Sequence, residues 1–91
     1  MLEGWYFLPQ YKADKEFCTI YPNPASTALF VESKSNNYHL IILNSQGKEV
    51  SRYYFKTTKN EIDLSQFNTG IYFVKTEDNN HSQVQKLIIL R

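Results

Sequence analysis

The side chains with reactivity suited to catalysis or metal binding are one cysteine, two histidines and nine acidic residues. Their spacing assembles nothing from them. Cys18 stands alone, so neither an internal disulfide nor a cysteine-based metal site is open to the chain. No histidine accompanies it in a pattern that would draw off the thiol proton, and a small buried hydrophobe is the expected role of such a cysteine. His39 falls among apolar residues and His81 in a turn, without a matching ligand pair, so each reads as a structural or surface histidine. Glu32, Glu49, Asp63 and Asp78 occupy separate segments and give no paired-carboxylate spacing for acid–base work. Asp63-Leu64-Ser65 reads instead as a turn whose side chain caps backbone donors. Three glycines make no phosphate-cradling loop. Asn80-His81-Ser82 fits the glycosylation acceptor pattern, which three residues satisfy easily by chance. The expectation is a chain that is no enzyme, needs no cofactor and holds no metal.

The totals narrow the classes further. A length of 91 residues is room for one domain. A domain of that size buries only about 60–65% of its unfolded surface, so its core must be efficient. An aromatic share of 15% makes this feasible. Ten basic residues against nine acidic leave a net charge of +1, which is no footprint for nucleic acid or an anionic membrane. No apolar run approaches the roughly 20 residues of a membrane helix. Met1-Leu2-Glu3-Gly4-Trp5 lacks the parts of a secretory signal, so the signal of an exported protein would have to lie in preceding sequence.

The elements are organised around Asn68-Thr69-Gly70-Ile71-Tyr72-Phe73-Val74-Lys75. Four consecutive apolar residues feed both faces of a sheet, which places this strand in a sheet interior. With Ile62, Leu64 and Phe67 upstream, the spacing resembles the corner of immunoglobulin-like sandwiches where a tyrosine bonds back to the preceding turn. Tyr72 is expected in that part, with Gly70 supplying a backbone angle other residues avoid. A Tyr72 merely half-buried in the core is the other reading.

Around it the chain reads as β throughout. Phe17 to Tyr21 forms a short strand ended by Pro22-Asn23-Pro24, hence at a sheet edge or crossing between sheets. Thr27 to Glu32 follows, with Leu29 and Val31 on one face. Tyr38 to Asn44 is apolar on both faces and so a second central strand. Ser45-Gln46-Gly47 makes a hairpin with Gly47 left-handed. Lys48 to Phe55 returns alongside, with Val50 the best core candidate and some of Tyr53, Tyr54 and Phe55 left on the surface. Glu61 to Leu64 is short, and Glu77 to Asn80 is a turn. In the last strand, His81 to Arg91, Val84 shares a face with Ile88 and Leu90. That leaves Lys86 pointing inward unless a bulge at Gln85-Lys86 intervenes. About seven strands at this spacing define an all-β, antiparallel, Ig-like sandwich. Residues 1–16 read as a linker or the remnant of a preceding region, with a Trp5-Tyr6-Phe7-Leu8 cluster that is either part of it or an added strand. Tyr11, Tyr38, Tyr53 and Tyr54 are candidates for an exposed aromatic platform, against the plainer reading of scattered surface tyrosines.

Three separated pieces then agree. They are Ile20-Tyr21-Pro22-Asn23-Pro24-Ala25-Ser26, Asn44-Ser45-Gln46-Gly47-Lys48-Glu49-Val50, and the stretch from Ile62 through Phe67 and Gly70 to Lys75, closing on Lys86-Leu87-Ile88-Ile89-Leu90-Arg91. Together they resemble the C-terminal sorting domain of cargo proteins exported by the type IX (Por) secretion system of Bacteroidetes, over residues 17–91. The resemblance implies a signal: an outer-membrane translocon recognises the folded domain, and a sortase-like peptidase removes it upstream of the first strand. The cargo, absent from this chain, passes through the periplasm to the cell surface or medium. Carried over by position, Pro22, Asn23 and Pro24 match the opening motif, Gly47 and Lys48 the hairpin, Gly70 and Tyr72 the central strand. Lys86, Leu87, Ile88, Ile89, Leu90 and Arg91 match the terminal segment linked with recognition. The resemblance further implies that the domain ends its polypeptide and that this chain is the separated tail of a longer protein. Leu87 to Leu90 is expected either to offer an open edge for strand addition or simply to pair within the sheet. The alternative function is an Ig-like adhesive or carbohydrate-binding module of a surface protein.

Overall fold

The computed structural model describes residues 17–91. The linker reading of residues 1–16, the Trp5 cluster and Tyr11 lie outside them. Among the described residues there are seven strands and no helix: β1 (Cys18–Tyr21), β2 (Ala28–Ser33), β3 (Tyr38–Asn44), β4 (Glu49–Phe55), β5 (Lys59–Asp63), β6 (Gly70–Glu77) and β7 (Ser82–Ile89). They form two antiparallel sheets, β1-β2-β5 and β4-β3-β6-β7. The two runs that are apolar on both faces, β3 and β6, are the two central strands of the larger sheet. Pro22-Asn23-Pro24 ends an edge strand, as its missing donors require.

The core lies between the sheets. Leu29, Val31 and Ile62 from the smaller sheet meet Tyr38, Leu40, Ile42, Val74, Leu87 and Ile89 from the larger, all essentially inaccessible to water. Tyr38 is buried, which removes it from any exposed aromatic platform. Its hydroxyl accepts a hydrogen bond from Asn60 Nδ2 at 2.9 Å, and its ring packs edge-on to Phe55 at 5.6 Å. Cys18 is the buried hydrophobe expected of it. Burial pushes its thiol up to about 11, with Thr76 pulling slightly the other way. That hydroxyl contact is weak: the buried Thr76 Oγ1 has no hydrogen-bond partner of good geometry. At pH 8 only about one Cys18 in 10³ is then a thiolate, against roughly a quarter of free thiols. Alkylation by iodoacetamide should therefore wait for unfolding in urea. Rapid labelling of the folded chain would contradict the burial.

Two strands face opposite to the expectation, for one shared reason. In β4 the alternation offers either Val50, Arg52 and Tyr54 or Ser51, Tyr53 and Phe55 to the core. The second set wins: Tyr53 and Phe55 stack at 5.6 Å against the cluster, and Val50 is 46% exposed. A register shift between Ile42 and Leu43 sets Ser51 opposite Ile42 and Glu49 opposite Leu43, leaving Val50 outside. Burying two aromatics gains more apolar area than burying one valine, and it keeps Arg52 in water. In β7 the inward set is Gln83, Gln85, Leu87 and Ile89, not Val84, Ile88 and Leu90. Pairing with β6 runs from Glu77↔Ser82 to Gly70↔Ile89 without a shift, so there is no bulge at Gln85-Lys86. Lys86 points to solvent instead of inward. The inward glutamines are satisfied by β1: Gln83 Nε2 and Gln85 Nε2 donate to the Cys18 carbonyl at 2.9 and 3.1 Å, and Cys18 N donates to Gln83 Oε1 at 3.1 Å. An amide with partners costs far less to bury than an ammonium without one.

Candidate recognition site

The strand directions bring every piece of the motif pattern to one end of the sandwich. Tyr21 ends β1, Ala28 begins β2, Asn44 and Glu49 flank the β3–β4 hairpin, Asp63 ends β5, Gly70 begins β6 and Ile89 ends β7. The first and last pieces touch. Asn23 Nδ2 donates to the Lys86 carbonyl at 2.8 Å, and its Oδ1 accepts from Ile88 N at 3.0 Å. Ala25 N donates to Ile88 O and Leu90 N to Ala25 O, each at 2.8 Å, as a parallel bridge opposite Ile89. These four bonds consume the outward backbone groups of β7 from the Lys86 carbonyl to the Leu90 amide. Of the two readings of this run, an open edge or pairing within the sheet, the edge is closed here by the segment that two prolines stiffen at the far end of the sequence. Both X-Pro bonds, Tyr21-Pro22 and Asn23-Pro24, are cis.

The corner behaves as its spacing predicts. Tyr72 donates its hydroxyl proton to the Asn68 carbonyl at 2.8 Å, and Phe67 packs edge-on to its ring at 5.6 Å. Gly70 does not play the part expected of it. Its backbone is not left-handed, and a Cβ there would meet Tyr72 at an ordinary 3.8 Å, so neither angle nor space demands glycine. Gly47 does adopt the left-handed angle, φ 83°. Its hairpin is organised by Asn44, whose Oδ1 accepts from Gln46 N and Lys48 N at 2.9 and 3.0 Å. Lys48 itself is exposed at the same end.

Arg91 finishes the assembly by donating its guanidinium to the Leu64 and Phe67 carbonyls. The turn beneath it is built as the sequence implied, with Ser65 N donating to Asp63 Oδ1 at 2.9 Å. That backbone donor, the Ser65 hydroxyl and the nearby Arg91 together hold the Asp63 carboxyl below the usual range. Ala25, Asn44 and Asn68 carry this geometry and were not singled out by sequence reasoning. Ala25 adjoins the Pro22-Asn23-Pro24 motif, which was the one local signal for it. Asn68 works only through its backbone carbonyl, which any residue type supplies.

The opposite end is a shallow polar cleft lined by Asn37, His39, Tyr54, Glu77 and Asp78 among others. Tyr54, the most exposed of the described platform candidates, has its hydroxyl bonded to Asn37, its ring stacked 4.8 Å from His39 and the Lys56 ammonium 5.7 Å away. His81 stacks on Phe17 at 4.9 Å and pairs with Asp78 at 3.2 Å. Among the described residues, no group of three or more His, Cys, Asp or Glu side chains is placed to hold a metal ion.

The geometry thus defines a class: an Ig-like β-sandwich whose one elaborated end displays a fixed backbone and side-chain contour. A family model described as a secretion system C-terminal sorting domain matches residues 19–90. The chain belongs to that family, the sorting domains of the type IX (Por) secretion system that the motif pieces resembled. No curated protein matches it. Among solved structures, PorZ of Porphyromonas gingivalis, described as an essential bacterial surface component of the type-IX secretion system, has the same fold. It superposes with a TM-score of 0.72 at 15% identity over 91% of this chain, which corresponds to 13% of PorZ.

Proposed function

We propose that the chain is the export address of a cargo protein joined at its N-terminal side, read by the type IX translocon at the outer membrane and acting without catalysis of its own. The cargo passes through the periplasm and reaches the cell surface or the medium. A sortase-like peptidase cuts upstream of β1, within residues 1–16, leaving 17–91 as the sorting domain. Pro22, Asn23, Pro24, Gly47, Lys48, Gly70, Tyr72 and Lys86 through Arg91 are the residues of the address.

The observation that carries this reading is the meeting of the opening and closing motif pieces through Asn23 and Ala25, more than sixty residues apart in sequence. A folded domain, not a linear tail, is what such a pairing makes available. Its placement also suits the task. Cys18 begins β1 at the end opposite Arg91, so the chain from a cargo enters the sandwich away from the elaborated end.

The test is a fusion of all 91 residues behind a periplasmic reporter in a type IX-competent host. Reporter on the surface or in the medium is the expected result. Intact, folded fusion held in the periplasm would refute the reading.

A further inference from the structure

The atoms of the last strand that remain available decide how it is grasped. From the Lys86 carbonyl to the Leu90 amide the outward backbone groups are already bonded to Asn23 and Ala25. Leu87 and Ile89 are sealed in the core. Strand addition, which needs free backbone donors and acceptors, is therefore closed to this segment. What is left is the outward side chains of Lys86, Ile88 and Leu90, the last 59% exposed.

These side chains do not stand alone. On the same outer face Ile71 lies opposite Ile88 and is 46% exposed, while Phe73 lies opposite Lys86 and next to Leu43. An apolar patch with one ammonium in it results. Of the other cations on that face, Arg52 pairs with Glu49 at 2.8 Å and Lys75 with Glu77 at 3.6 Å, while the Lys56 ammonium lies over the Tyr54 ring beside the opposite end of the sheet. Lys86 makes no ion pair among the described residues.

We propose that Ile71, Phe73, Lys86, Ile88 and Leu90 form the surface on which a folded protein of the export machinery docks, presenting an apolar face with a carboxylate opposite Lys86. The proposal rests on the sorting reading and names the contact through which it operates. One ammonium, without an ion pair among the described residues, on an apolar sheet face is poor purchase on an anionic membrane, which is bound through clusters of several basic residues. It suits a protein interface, in which an apolar centre supplies affinity and a single charge pair supplies register.

The experiment uses the reporter fusion with three sets of changes. Ile71→Asp with Leu90→Asp charges the patch at two exposed positions. Lys86→Glu reverses its charge, and Lys86→Arg keeps it. Thr19→Asp with Phe30→Asp alters two exposed positions on the outer face of the other sheet, as a control. The first pair and Lys86→Glu should each lower export by about tenfold or more. Lys86→Arg and the control pair should stay within about twofold. The 91-residue chain carrying Lys86→Glu should melt where the unaltered chain does, so its export loss cannot be assigned to unfolding.

Unchanged export in the patch variants, or equal loss in the control, overturns the surface while the sorting reading stands. Retention of the unaltered fusion defeats that reading itself. Cosedimentation of the chain with anionic phospholipid vesicles, abolished by Lys86→Glu, would overturn the protein partner.

Discussion

Leu87→Ala should destabilise the chain by about 2–5 kcal/mol, whereas Leu90→Ala, three residues on, should cost less than about 0.5 kcal/mol. The two leucines sit in one short apolar run, yet they belong to different environments. Leu87 is inaccessible to water and packs with Val74, Ile89 and Leu29 in the cluster between the sheets, so its truncation leaves a cavity. Leu90 lies past the end of β7 on the outer side. In a domain of this size each kcal/mol moves the melting temperature by about 4–8 °C, so the two variants should separate by roughly 6 °C or more. Thermal or urea unfolding of the purified chain reads this directly. Equal losses would mean that the inward face of β7 has been assigned wrongly. The same pair clarifies any truncation of the terminal segment: removing Leu87 to Arg91 deletes core and display together, and loss of export alone would not say which mattered.

Asn23→Ala should cost about 1–3 kcal/mol, a large effect for an exposed side chain. Its amide makes two hydrogen bonds to the backbone of β7, a donor to Lys86 O and an acceptor from Ile88 N. Alanine makes neither. Asn23→Asp should be no better, because it keeps the acceptor but sets a carboxylate oxygen against the Lys86 carbonyl. The sharper readout is hydrogen exchange. In Asn23→Ala the amides of Ile88 and Leu90, which face the opening segment, should exchange faster, while those of Leu87 and Ile89, which face β6, stay protected. Unchanged protection of Ile88 would show that Asn23 does not hold this edge. Because the same variant frees outward backbone of β7, it also separates two modes of recognition. Export should fall or hold, and a rise would instead indicate that an open edge is what the machinery reads.

Much of the architecture was readable from local chemistry. The apolar runs Tyr38 to Asn44 and Gly70 to Lys75 announced central strands, because a strand with apolar residues on both faces belongs in the middle of a sheet, with cover on at least one side. Gly47 announced its turn, and Tyr72 its corner. The misreadings share a cause. Val50 and the face of β7 were assigned by looking at where the aliphatic residues lie, and alternation permits two answers for every strand. The choice turned on what each answer would bury besides aliphatic carbon, Arg52 in one strand and Lys86 in the other. It also turned on whether the inward glutamines of β7 would find partners. Those partners are the backbone of Cys18, sixty-five or more residues away in the chain. Gly70 failed for a different reason: glycine is permitted everywhere, so its presence at a strand start is weak evidence for an unusual angle.

Recognition of the family needed only residues in order: Pro22-Asn23-Pro24, the Gly47 hairpin, the Tyr72 corner and the closing run to Arg91. Those residue types also settled that the chain would be all-β and poor in reactive groups, since both follow from composition and period. Only the tertiary structure decided that the opening motif seals the edge of the closing strand. The hydrogen bonds doing so run from the Asn23 side chain and the Ala25 backbone to backbone groups of β7 more than sixty residues away, a pairing that no local pattern encodes. It alone likewise sorted the terminal segment into Leu87 and Ile89, which hold the fold, and Lys86, Ile88 and Leu90, which face outward. The physical reason is that a β-strand's pleat fixes which residues share a face, but the water-free interior chooses the face, and it does so from groups far away in the chain.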